Sequence, residues 1–255
     1  MKQISDTIRK KIQTNVTHSG EEYKVFALLK FGQEQHLRDL LNKGILYFSS
    51  KQDIRGNINE NRDDHRYDSL EGATMFESHG NDSQIFITSN MGVKMNIPAL
   101  KVQFDAKPQN LYGNIASFYA ITDSSFINGD LIPIDLRMKS FGDHFILITD
   151  FTHLIKRLTG VLDKIELNHS LGKIEYFDEN NHKGDLHYYH KRSSLSYQNE
   201  FRIHLDRQSS TPFKLRLGNL SEFAVICHCD TLEHLNIKLD IEGNACNIQY
   251  LKLTY

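Results

Sequence analysis

The sequence predicts an α+β fold, mainly antiparallel, with a strongly bent or split sheet and a few peripheral helices. Three observations lead there. Apolar runs of strand length recur along the chain, helical periodicity is confined to a few stretches, and no fixed-period repeat or Pro/Ser-rich linker divides residues 1–255, which therefore read as a single domain.

Ile4 to Val16 is weakly amphipathic and predicts a peripheral N-terminal helix within residues 1–20, closed by the Thr17-His18-Ser19-Gly20 break. Tyr23 to Phe31 reads as a buried strand, because Val25-Phe26-Ala27-Leu28-Leu29 is apolar throughout and short. Leu37, Leu40 and Leu41 lie at helical spacing in Gln33 to Lys43, with Gly44 where a left-handed cap belongs, and Ile45 to Ser50 restarts as a strand.

Apolar periodicity then disappears, so residues 51–70 predict a long polar loop, a length associated with function or mobility. Ala73 to Glu77, Gln84 to Thr88 and Leu100 to Phe104 predict an antiparallel meander, followed by strands at Ile115 to Ile121 and His144 to Ile148. Thr149 or Asp150 can cap the next helix, whose buried stripe is Leu154, Ile155, Leu158 and Leu162. The remainder is mostly extended: Lys173 to Phe177, Glu200 to Leu205, Phe213 to Leu217, Glu222 to Cys229 and Cys246 to Leu253, with a short helix at Thr231 to Leu235.

A hydrophobic content of 39% with 24% charged residues excludes disorder and fibrous architectures. A formal charge of -2 gives no global electrostatic case for nucleic acid, though a local basic groove stays open. Three cysteines are too few for a disulfide scaffold, the first residues lack an apolar signal core, and no run approaches the roughly 18 apolar residues of a membrane span. The expectation is a cytoplasmic protein with no membrane partner.

The most informative segment is Gln198 to Leu205. With a side-chain period of two, Phe201, Ile203 and Leu205 face a core while Gln198, Glu200, Arg202 and His204 share the opposite face. That face is either a solvated surface or the wall of a polar pocket, and Glu200 with Arg202 either supplies chemistry or forms a structural ion pair. The loop offers a second constellation, Arg62, Asp63, Asp64, His65, Arg66, Asp68 and Glu71. It is dense in carboxylates but lacks zinc or calcium-loop spacing, so no metal is expected, whereas Arg62 or Arg66 could clamp a phosphate. Cys227, Cys229, His234 and Cys246 could in principle hold a metal, but strand cysteines more often pack as small hydrophobes. Tyr188-Tyr189-His190-Lys191-Arg192 mixes rings and cations suited to a nucleotide, or is an amphipathic helical turn. No Gly-x-Ser-x-Gly elbow, Walker loop or Gly-x-Gly-x-x-Gly turn occurs.

Several blocks together resemble uncharacterised bacterial and phage proteins of a domain-of-unknown-function type grouped with abortive-infection genes: Leu29-Lys30-Phe31-Gly32, Gly44 to Ser49, Arg62-Asp63-Asp64 with Glu71-Gly72, Phe141-Gly142-Asp143, Ile174 to Asp178, and Tyr197 to Ile203. The chain is also similar to the ADP-ribosyltransferase superfamily, whose site draws a polar residue from one strand, a Tyr or Ser from a second after a short helix, and a late Glu. Lys30 stands where that superfamily carries His or Arg, Tyr47 or Ser49 fills the second place and Glu200 the third. The resemblance implies Glu200 and Gln198 as catalytic residues, Lys30, Tyr47, Ser49 and Arg202 as substrate-binding ones, NAD as substrate, and a macromolecular acceptor, and the loop's Arg62 and Arg66 join the substrate-binding set as phosphate clamps. An ADP-ribosyltransferase or NAD-cleaving enzyme of phage defence or toxin type is thus the first expectation. The alternatives are a metal-dependent nuclease or phosphoesterase built on Asp63, Asp64, His65, Asp68 and Glu71, and a non-enzymatic sensor of a nucleotide or phage protein.

Overall fold

A computed structural model describes residues 2–11, 15–18, 21–55, 68–78, 85–88, 92, 94–97, 101–105, 112–239 and 245–254. In chain order the elements are β1 (Lys2–Lys11), β2 (Asn15–His18), β3 (Glu21–Gly32), α1 (Glu34–Lys43), β4 (Ile45–Ser50), α2 (Lys51–Arg55), β5 (Ala73–Ser78), β6 (Ile85–Thr88), β7 (Lys94–Ile97), β8 (Lys101–Asp105), β9 (Asn114–Thr122), β10 (Phe126–Ile127) and β11 (Asp130–Leu131). There follow β12 (His144–Ile148), α3 (Phe151–Lys164), β13 (His169–Lys173), β14 (Glu175–Phe177), β15 (Lys183–Asp185), β16 (His190–Arg192), β17 (Glu200–Leu205), β18 (Phe213–Arg216), β19 (Ala224–His228), β20 (Asn236–Leu239) and β21 (Ala245–Thr254).

The architecture is α+β with the antiparallel pairing split over several sheets. A nine-stranded sheet runs β13-β17-β9-β3-β12-β19, with β2 added to β3 and β4 joined to both β18 and β9, and a five-stranded sheet runs β1-β21-β20-β11-β10. Alternation along the central strands explains why two layers flank the large sheet. Leu28, Phe118, Ile146, Ile148, Phe201, Ile203 and Leu205 pack with Leu154, Leu158 and Leu162 of α3, while Leu29, Ile121, Phe145 and Leu147 pack with Ile237, Ile248 and Tyr250 of the second sheet. Cys227, Cys229 and Cys246 are buried in this second core, consistent with packing as small hydrophobes.

Several expectations need correction. The N-terminal helix expected within residues 1–20 is instead β1, paired antiparallel with β21 from Lys2↔Thr254 to Lys11↔Ala245, and β2, paired with β3. Ile4 and Ile8 fit one helix face and one strand face equally well, and the ten-residue ladder decides between them. The loop expected over residues 51–70 opens as α2, and residues 56–67 lie outside the described residues. The expected meander is a nested arrangement in which β5 pairs β8 and β6 pairs β7. Tyr188 to Arg192 is a turn leading into β16, which pairs β14 in parallel, so no helical turn forms there. Among the described residues no helix is long and apolar enough to cross a membrane.

The α1 to β4 connection follows its sequence signals. Leu37 and Leu40 are the buried stripe, and Gly44 adopts φ 65° while donating its N–H to Leu40 O at 2.9 Å. A Cβ at Gly44 would stand 2.0 Å from Gly218 O, so this turn is closed to any side chain. Gly44 O also accepts from Leu217 N at 2.9 Å, which anchors the start of β4.

Candidate functional site

The site begins where the large sheet splits. One edge of β9 pairs β3 down to Leu29↔Tyr119 and pairs β4 only at Ser49↔Ile115 and Ser50↔Asn114. Residues 116–118 of β9 lie between the two ladders, and Lys30 Nζ reaches across to donate to Ser117 O at 3.0 Å. The gap opens into a cleft of about 380 Å³ whose lining includes Lys30, Tyr47, Ser49, Gln198, Glu200 and Arg202. These are the six residues of the ADP-ribosyl-transfer expectation that fall among the described ones. Arg62, Arg66, Asp63, Asp64 and His65 lie outside them.

β17 supplies the charged wall. Phe201, Ile203 and Leu205 are fully buried in the α3-side core, as alternation requires, and Glu200, Arg202 and His204 are buried too, at 3%, 0% and 6% exposure. The solvated-face alternative is therefore excluded. Gln198 is not on the strand as expected: it ends the 3-10 segment Ser193–Gln198, and Asn199 turns through a left-handed conformation before β17 starts. Gln198 still reaches the cleft and accepts from Lys191 Nζ at 2.8 Å.

Glu200 sits at the centre of a charge network. Its Oε1 accepts from Ser117 Oγ at 2.6 Å and from Arg202 Nε at 2.8 Å, and its Oε2 lies 2.6 Å from Lys191 Nζ. Its backbone N–H donates to Tyr176 OH at 2.9 Å. Burial alone would raise its pKa, but the Arg202 and Lys191 charges prevail and hold the carboxyl well below the usual carboxylate range. The same two cations that favour its ionised form make it a weak proton acceptor. Arg202 Nη1 also donates to Glu71 Oε2 at 3.1 Å and to Tyr188 O. Glu71 is shifted the other way: burial raises its pKa more than Arg202 lowers it. The arginine thus holds one firmly charged carboxylate and one that burial makes a better proton acceptor.

Lys30 is half-buried at the cleft wall, over the Phe118 ring at 5.0 Å. Burial pushes its ammonium down to about 8, against the opposing pull of Glu200. Tyr47 is 43% exposed at the mouth, so its ring is available to a planar ligand group. Ser117 and Tyr176 were not singled out as site residues by sequence reasoning, and Lys191 was named only within the Tyr188 to Arg192 cluster, not as a partner of Glu200. Ser117 carried a usable signal, being the one hydroxyl in the otherwise apolar Ile115 to Phe118 run, whereas Lys191 reaches Glu200 only through the β14–β16 pairing.

Of the loop residues in the metal-dependent alternative, only Asp68 and Glu71 are described, and both have partners. Glu71 pairs with Arg202, and Asp68 accepts from Leu70 N at 3.0 Å while Arg192 Nε lies 3.5 Å away. Among the described residues Glu175, His187 and His190 offer ligand atoms within 4.8 Å of one another, and none of the three lines the cleft. Nδ1 of His190 accepts from His187 N, and Nδ1 of His187 from Tyr189 N, both at 3.2 Å. Neutral rings in that arrangement carry their proton on Nε2, so a cation there would have to displace it. A larger cavity of about 700 Å³, between Tyr23, Lys173 and Tyr176, sets Glu22, Asp123 and Glu175 against a single lysine and is ill suited to a phosphorylated ligand.

Compared with protein-family models, curated proteins and solved structures, the chain matches none.

Proposed function

We propose that the cleft binds NAD and breaks the bond between nicotinamide and its ribose, passing the ADP-ribosyl group to water or to a macromolecular acceptor, as the resemblance to ADP-ribosyltransferases implies. The observation that carries this reading is the convergence of Lys30, Tyr47, Ser49 and Glu200 from three separate strands on one cleft at the sheet split.

An ionised carboxylate has about four accepting positions, and the contacts of Glu200 fill two on Oε1 and one on Oε2. The remaining position on Oε2 can take a ribose hydroxyl. As the C1′–N bond breaks, its electron pair leaves with the nicotinamide nitrogen and positive charge develops on the ribose. A fixed anion within hydrogen-bond reach stabilises that charge more than it stabilises the ground state. The incoming water or acceptor forms the new bond at C1′ and releases its proton to solvent. Arg202 and Lys191 hold the carboxylate in place, Gln198 positions Lys191, Lys30 supplies positive charge for the pyrophosphate, and Tyr47 stacks on the nicotinamide ring.

The test is incubation with NAD, chromatography of released nicotinamide, and the same assay on Glu200→Gln. Charge stabilisation of this kind is worth about a hundredfold or more in rate. Release by the native protein that falls by that factor in the variant supports the reading, and equal release from both removes Glu200 from the chemistry.

A further inference from the structure

Beyond Arg202 the same strand face continues into a second pocket, of about 410 Å³. Each wall of the first cleft has its neighbour here: β17 carries Arg202 in the first and His204 in the second, the β4–α2 junction carries Ser49 and then Lys51, and the chain entering β9 carries Ile115 and before it Tyr112. The volume is within the usual range for a small-molecule site.

A buried lysine and a buried imidazole with an unpartnered nitrogen meet at this pocket. Lys51 is 6% exposed, and its ammonium sits over the Tyr188 ring at 5.1 Å with no carboxylate in ion-pair reach among the described residues. His204 is also 6% exposed, stacks on Tyr188 at 4.2 Å, and has a buried Nε2 with no hydrogen-bond partner among the described residues. Burying a ring nitrogen in this state is costly unless something else pairs with it, and a lysine beside it calls for an anion. The backbone makes room for both: at Gly113, where φ is 113°, a Cβ would stand 2.7 Å from His204 Nε2 and 3.3 Å from Lys51 Cε. Burial, then Lys51 and Arg202, keep His204 neutral, so one ring nitrogen can donate.

A phosphate offers several acceptor oxygens and a charge to match the lysine. Asp206 also lines the pocket and would repel a bare phosphate, but a carboxylate accepts readily from sugar hydroxyls. We propose that this pocket binds a phosphorylated pentose, its phosphate on Lys51 and His204 and its hydroxyls on Asp206. The site stands independently of NAD cleavage in the first cleft.

Calorimetric titration with inorganic phosphate, ribose 5-phosphate and AMP tests this on the native protein, Lys51→Met, Asp206→Asn and Glu200→Gln. Lys51→Met replaces a buried charge by an apolar chain of similar length and is expected to fold, which a melting curve checks. The expected result is binding of ribose 5-phosphate or AMP that weakens about tenfold or more in Lys51→Met, as loss of a charge-assisted contact requires. Inorganic phosphate should bind more weakly than either, and Asp206→Asn should erase that difference. The AMP and ribose 5-phosphate arms distinguish a nucleotide from a free sugar phosphate. Glu200→Gln should leave the binding unchanged whether or not nicotinamide is released. No binding at millimolar ligand, equal affinity in Lys51→Met, or loss in Glu200→Gln alone would overturn the assignment.

Discussion

Arg202 Nε donates to Glu200 Oε1 at 2.8 Å from two residues along the same strand, while its Nη1 holds Glu71 from a segment 131 positions away in the chain. One guanidinium therefore ties the cleft carboxylate to the Asp68–Glu71 turn. Replacing Arg202 by Met leaves Glu71 without its ion-pair partner and Glu200 with Lys191 alone, and loss of one partner from such a network costs about 3–5 kcal/mol. Urea unfolding of Arg202→Met should show a loss of that order. A change below about 1 kcal/mol would mean that the network relaxes without cost.

The pH response of the cleft should follow Lys30. Its pKa falls from an ordinary 10.5 to about 8 on folding. Between those values the unfolded chain binds more protons than the folded one, so this group makes stability rise with pH there. Affinity for NAD should move the other way and fall above about pH 8, as the ammonium loses its proton. Calorimetry across this range on the native protein and Lys30→Met would show the trend in the first and its absence in the second.

His204 sets an acid limit on stability. Its pKa is pushed from 6.5 to about 3, by burial first and then by Lys51 and Arg202. A depressed pKa contributes stability above 6.5 that is lost progressively as pH falls toward 3. The melting temperature should therefore drop between pH 7 and pH 5 more steeply in the native protein than in His204→Asn. Parallel curves for the two proteins would count against a buried neutral imidazole.

Gly44 offers a test of how the cleft is framed. A side chain there meets both the left-handed backbone and Gly218 O, and strain of this kind costs about 1–3 kcal/mol. Gly44→Ala should lose at least that much stability in urea, and it should weaken NAD binding because β4 carries Tyr47 and Ser49.

Much of this arrangement was legible in the residues because alternation is a local property. Phe201, Ile203 and Leu205 against Glu200, Arg202 and His204 specify two faces before any coordinate is known, and the Leu37, Leu40 and Gly44 spacing specifies α1 and its end. What alternation leaves undetermined is the neighbour across the gap. Glu71 and Lys191 reach Glu200 and Arg202 through turns and a short parallel pairing that carry no sequence period, so the network could not be assembled from spacing. The N-terminal segment failed for the opposite reason: Ile4 and Ile8 satisfy two periods at once, and a partner at the far end of the chain selects one.

The most direct measurement is a crystal structure of the protein with an uncleavable carbocyclic analogue of NAD. The account predicts the nicotinamide ring against Tyr47, with a ring hydroxyl of the sugar mimic on Glu200 Oε2 and the pyrophosphate toward Lys30. An analogue bound away from the Glu200 cleft, or an empty cleft at saturating concentration, would contradict it.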